Sequence, residues 1–79
     1  MIHLVIAKVD EVLFDAEAYS LTVPGADGDM TVLGHHMPLI TTLKPGIALV
    51  RVAPNAEPKT FPISGGVLEV RQGGATVIL

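Results

Sequence analysis

Hydrophobic positions in this chain fall in short β-branched runs broken by Gly and Pro, and no segment keeps an apolar stripe at helical spacing for three turns. The pattern predicts strands at residues 2–9, 12–14, 18–23, 30–33, 39–43, 46–53, 59–63, 66–71 and 75–79. In residues 18–23, Tyr19, Leu21 and Val23 alternate with Ala18, Ser20 and Thr22, as a strand with one face on a core should. Leu4-Val5-Ile6 and Ile47-Ala48-Leu49-Val50 are apolar on both sides, which predicts strands with a second covered face. The connections are chemically explicit. Pro24-Gly25-Ala26-Asp27-Gly28 reads as a proline-initiated turn with two glycines able to take positive φ, and Lys44-Pro45-Gly46 as another turn. Pro54-Asn55-Ala56-Glu57-Pro58 reads as a hairpin loop, and Gln72-Gly73-Gly74 closes the last hairpin. The fold class is therefore all-β, a flattened two-sheet sandwich or barrel of about nine to ten short strands.

Seventy-nine residues make one small domain, 1–79. A domain of this size buries only roughly 60–65% of its unfolded surface. With no cysteine, neither disulfides nor thiolate metal sites can supplement the core, and a cytosolic setting is the simplest expectation. The apolar start carries His3 and Lys8, stops at Asp10-Glu11 and lacks a small-residue cleavage site, so it reads as a first strand and not as a leader. No run approaches the roughly 20 apolar residues that span a bilayer, so membrane association would go through a partner. Lys8, Lys44, Arg51, Lys59 and Arg71 are scattered among eight carboxylates, with no basic stripe to follow a phosphate backbone. Phe14, Tyr19 and Phe61 are too few to make a stacking platform, and nucleic acid is not an expected ligand. Yet 49% of the chain is hydrophobic, an excess that fits either a tightly packed core or an apolar face covered by another protein.

The most unusual stretch is Gly34-His35-His36-Met37-Pro38-Leu39. Adjacent histidines in extended chain point to opposite sides, whereas a catalytic zinc needs three convergent ligands, so no metal is expected there. Ser20 and Ser64 are the only serines, and Ser64 precedes Gly65-Gly66 without the strand-to-helix elbow of a hydrolase. The pairs Gly65-Gly66 and Gly73-Gly74 are not followed by Lys-Ser/Thr, so they read as turns and not as a phosphate loop. Glu11, Asp15 and Glu17, and likewise Asp27 and Asp29, read as solvated loop carboxylates and not as an acid/base pair. The chain is not expected to be an enzyme by itself, nor to hold a cofactor.

Three blocks carry a resemblance over essentially the whole length. Residues Val23-Pro24-Gly25-Ala26-Asp27-Gly28-Asp29-Met30-Thr31-Val32-Leu33 are similar to a Gly-x-Glu/Asp-Gly-Glu/Asp turn followed by an apolar strand. His36-Met37-Pro38-Leu39-Ile40-Thr41-Thr42-Leu43-Lys44-Pro45-Gly46 is close to Gly-His-Ala-Pro-Leu-Leu-Thr with Lys-Pro-Gly, and Ser64-Gly65-Gly66-Val67-Leu68-Glu69-Val70 to Ser-Gly-Gly-hydrophobic-x-Glu-Val. In order and spacing these blocks resemble the N-terminal β-sandwich domain of the epsilon subunit of F-type ATP synthases, the counterpart of the mitochondrial delta subunit. Gly34-His35 replaces the family's Pro-Gly and Met37 its Ala, so His35 inherits no role. The family continues into a C-terminal pair of helices that carries nucleotide binding and the inhibitory conformation. Neither function is expected of these residues.

The resemblance implies a non-catalytic central-stalk subunit of the rotor, peripheral on the cytoplasmic face of a bacterial plasma membrane and monomeric when isolated. Its partners would be the gamma subunit and the polar loops of the c-ring, with proton or sodium transport coupled to ATP synthesis through them. By position, His36, Met37, Pro38, Leu39 and Thr41 fall where the family packs against gamma, and Asp29 with Met30 where it meets the c-ring. The alternative from the residues alone is a self-associating sandwich, or a small-ligand or metal module using the His35-His36 loop.

Overall fold

The computed structural model describes residues 1–34 and 38–79. Among these are nine strands: β1 (Ile2–Lys8), β2 (Glu11–Ala18), β3 (Ser20–Gly25), β4 (Gly28–Val32), β5 (Leu39–Leu43), β6 (Gly46–Arg51), β7 (Lys59–Ile63), β8 (Gly66–Arg71) and β9 (Gly74–Ile78). They pair in the order β2-β1-β9-β8-β5-β3-β6-β7, with β4 added to β3. The expected all-β class is the observed one.

The path is continuous but thin at one place. β3 and β5 share the single residue pair Gly25 with Leu43. Beside it, Ala26 N donates to Thr42 O at 3.0 Å and Lys44 N to Pro24 O at 2.8 Å. At this joint the sheet folds over, laying β2-β1-β9-β8-β5 against β4-β3-β6-β7 as the two layers of a sandwich. All nine strands supply the shared core, with Leu4, Ile6, Leu21, Val32, Val50 and Leu68 fully buried within it. Each such side chain contributes about 1.5–3 kcal/mol relative to exposure. Strand β1 shows the rule that builds the layers: Ile2, Leu4 and Ile6 point inward while His3, Val5 and Ala7 point outward. Pairing of β1 with β9 is parallel, and it joins the first and last strands in the middle of their layer.

Four sequence expectations need correction. Residues 18–23 are not one strand: Ala18 ends β2, and Tyr19 turns the chain into β3 with its N–H donating to Arg51 O at 2.8 Å. Ala18 and Ser20 are both buried because they face the core from different layers. Strand β2 runs from residue 11 to 18, so Glu11, Asp15 and Glu17 lie on an edge strand and not in loops. Pro24 and Gly25 belong to β3, and the turn is the two-residue Ala26-Asp27 link between paired Gly25 and Gly28. Of those two glycines only Gly28 takes positive φ, at 129°. Pro24 is tolerated because β6 pairs only with Ser20 to Thr22, so no ladder bond to β6 is asked of the proline nitrogen. Last, the second apolar face expected for residues 4–6 and 47–50 is not covered by this chain: Val5 and Leu49 are half-buried and Ile47 is 55% exposed.

Candidate functional site

The tip of the β3–β4 hairpin lies beside β5. The two-residue link and the positive φ of Gly28 fold β4 back tightly, and the Ala26 N–Thr42 O hydrogen bond ties the tip to β5. Gly25 has no room for a side chain, since a Cβ there would stand 2.8 Å from Gly28 O. Between tip and strand is a shallow depression of about 350 Å³, with Asp27, Asp29 and Met30 on one side and Leu39, Ile40 and Thr41 on the other. Met30 and Leu39 are partly buried and packed on the core, whereas Ile40 projects outward at 73% exposure. Asp29 is exposed, paired in register with Pro24. Among the described residues no basic side chain lines the depression, which combines an apolar wall with two carboxylates.

The residues that the resemblance divides between two partners therefore meet: Asp29 and Met30 share the depression with Leu39 and Thr41. Thr41 is half-buried, its hydroxyl donating to Thr42 O at 3.3 Å, and Pro38 is exposed just before β5. His36 and Met37, with the His35-His36 loop of the alternative reading, lie outside the described residues.

A second open surface spans the outward face of the five-stranded layer. Register places Val12 beside Ala7, Ala7 beside Ile78, and Ile78 beside Val67, one row across four strands. Val12 is 61% and Ile78 57% exposed, so this row is the uncovered apolar surface that the composition hinted at. Pattern reading missed the row because it forms only when β1 pairs with β9.

Sequence reasoning also left His3 unassigned. In the structure its Nε2 is 2.7 Å from Asp15 Oδ1 and its Nδ1 3.1 Å from Glu17 Oε2. The hydrogen bond to Asp15, then that to Glu17, raises its pKa above the ordinary 6.5. The two carboxylates take different ring nitrogens, so the three groups do not converge on a point, and among the described residues no His, Asp or Glu cluster has metal-holding geometry. Among them too, no helix is long and apolar enough to cross a membrane. Ser64 is exposed in the bend before Gly65, and Ser20 is buried.

Comparison with known proteins agrees with the blocks read in the sequence. An ATP synthase epsilon chain of Burkholderia orbicola is 37% identical over 73 residues, covering 92% of this chain and 48% of that protein. A chain in the structure of the Euglena gracilis mitochondrial ATP synthase, OSCP/F1/c-ring, superposes with a TM-score of 0.85 at 29% identity, over 98% of this chain and 49% of that one. In the Tetrahymena thermophila mitochondrial ATP synthase central stalk/c-ring structure, a chain 15% identical shares the fold at a TM-score of 0.78, over 95% of this chain and 60% of that one. The chain thus spans about half the length of the epsilon chains it matches. The profile of the ATP synthase delta/epsilon chain beta-sandwich domain matches residues 1–79, and the chain belongs to that family.

Proposed function

We propose that this domain is the sandwich part of a central-stalk subunit of an F-type ATP synthase, non-catalytic by itself, which joins the gamma subunit to the polar loops of the c-ring. In that role it transmits rotation between ion transport, of protons or sodium, and ATP synthesis. It attaches peripherally, held to the membrane-embedded ring by its partners. The observation that carries this reading is the depression in which Asp29 and Met30 stand beside Leu39 and Thr41 on a member of the delta/epsilon family. A rotor joint has to bear torque without slipping, which calls for a rigid framework fixed by apolar contact and oriented by polar groups. The hairpin tip supplies the carboxylates, and β5 supplies the apolar wall. His36 and Met37 belong to the same proposed gamma contact by position in the sequence.

Size exclusion with mass analysis against the gamma subunit of the same source tests the reading. A one-to-one complex is the expected result; a chain that ignores gamma and elutes as its own dimer overturns it. That second outcome is the self-associating sandwich, which the exposed Val12-Ala7-Ile78-Val67 row favours.

A further inference from the structure

Among the described residues strand β2 is an edge strand, hydrogen-bonded on one side, to β1. Its burial is slight: Ala18 is in the core, Leu13 and Phe14 pack partly against it, and the other five residues are exposed. Such an edge depends on few fastenings beyond its ladder. One of them is on the outward face, where the register of His3 with Glu17 and of Val5 with Asp15 brings the imidazole between the two carboxylates.

The chemistry of that arrangement depends on one proton. A neutral imidazole carries a single N–H and a lone pair, and an ionised carboxylate can only accept. Both contacts, 2.7 Å from Nε2 and 3.1 Å from Nδ1, are hydrogen bonds together only when both ring nitrogens are protonated. Once a proton leaves, the remaining N–H serves the shorter contact to Asp15, and the bare lone pair of Nδ1 faces the Glu17 carboxylate. Among the described residues the other neighbours do not substitute. From β9 the groups beside His3 are Gly74 and Thr76, neither of which titrates. Arg71 of β8 lies over Gly74, but its guanidinium donates to Thr76 Oγ1 at 2.9 Å and stands 3.6 Å from Glu69.

We propose that His3 is a proton-operated clasp on edge strand β2: doubly protonated, it fastens Asp15 and Glu17 to β1, and on deprotonation it lets go of Glu17 and loosens residues 15–18. The clasp is independent of any rotor role, since it involves the β1–β2 hairpin alone.

The test follows the His3 ring nitrogens by NMR across pH 5 to 8.5, together with amide exchange protection, corrected for intrinsic exchange, over residues 15–18. Wild-type His3 is expected to titrate above the ordinary 6.5. Protection of residues 15–18 should fall several-fold through the same transition, while that of β6 falls by no more than the accompanying loss of global stability. In the Asp15→Asn, Glu17→Gln double variant the titration should return toward the ordinary value and the pH dependence of protection should vanish. A wild-type His3 that titrates at or below its ordinary value, or protection that does not follow its titration, overturns the proposal. The wild-type measurements decide the matter even if the double variant misfolds.

Discussion

Phe14 and Phe61 meet edge to face, ring centroids 6.1 Å apart at 75°, and join the two ends of the curled sheet. Phe14 lies on β2, the first strand of the pairing order, and Phe61 on β7, the last. Their contact closes the side of the sandwich opposite the Gly25–Leu43 joint. Lys59, at the start of β7, places its Nζ 5.7 Å from the Phe14 centroid.

Truncating either ring should open that edge. Because both are only partly buried, Phe14→Ala or Phe61→Ala is expected to cost about 1–3 kcal/mol, toward the lower side of core aromatic losses. A double-mutant cycle in urea should return a coupling of about 0.5–1.5 kcal/mol. Additive losses would mean that the ring contact itself contributes nothing.

Glycine substitutions should separate sharply by position. Gly66 has φ of 141°, and a Cβ there would run into the Ile78 carbonyl of the neighbouring strand. Gly66→Ala is therefore expected to destabilise by about 3 kcal/mol or more, from backbone strain plus a forced shift of β9. Gly73 has φ of 78° in the β8–β9 link, and an added methyl group there would meet nothing within 4 Å, so Gly73→Ala should cost only about 1–2 kcal/mol. Thermal unfolding of the pair gives the comparison, and equal losses would discount the Ile78 contact.

Stability should also carry the mark of His3. Its pKa is raised in the folded chain by the hydrogen bonds to Asp15 and then Glu17. A raised folded-state pKa means that the folded protein holds the proton more tightly than the unfolded one, so the contribution is complete below the unfolded value near 6.5 and is lost as pH rises through the folded value. The urea midpoint should fall over that window in wild type and less so in His3→Gln. Because these groups are exposed the change is small, and a midpoint that rises with pH only in wild type would contradict the sign.

The depression yields a two-partner prediction. Ile40 points outward and Leu39 packs partly on the core, so Ile40→Asp is the cleaner substitution for the proposed gamma contact. It should leave the unfolding free energy within about 0.5 kcal/mol of wild type, yet weaken gamma binding at least tenfold by isothermal titration. Asp29→Arg should reduce attachment to isolated c-ring while leaving gamma affinity nearly intact. Loss of both partners together from Asp29→Arg would show that the shared depression serves one contact and not two.

Much of the scaffold is legible in the amino-acid sequence. Gly73 and the Pro54-to-Pro58 stretch mark their hairpins because turn chemistry acts over a few residues. Tyr19 misleads for a related reason: Ala18 to Val23 alternates without a break, and nothing local shows that the chain changes layers at Tyr19. The acidic run Asp15 to Glu17 resembles a loop because exposed edge strands, unlike central ones, carry charge. Asp29 and Leu39 stand out in the motif blocks, but their sharing of one depression is not visible in those blocks.

The all-β class, the approximate positions of most strands and membership of the delta/epsilon family are written along the chain, in its alternation, its Gly and Pro punctuation and the order of its motifs. Which residues stand together is a property of the folded molecule alone: β1 beside β9, Phe14 on Phe61, Asp29 beside Leu39, and His3 between Asp15 and Glu17. Those neighbours depend on strand register and on which layer each strand joins. Both are settled by burying one common core, a condition that no local stretch of sequence contains.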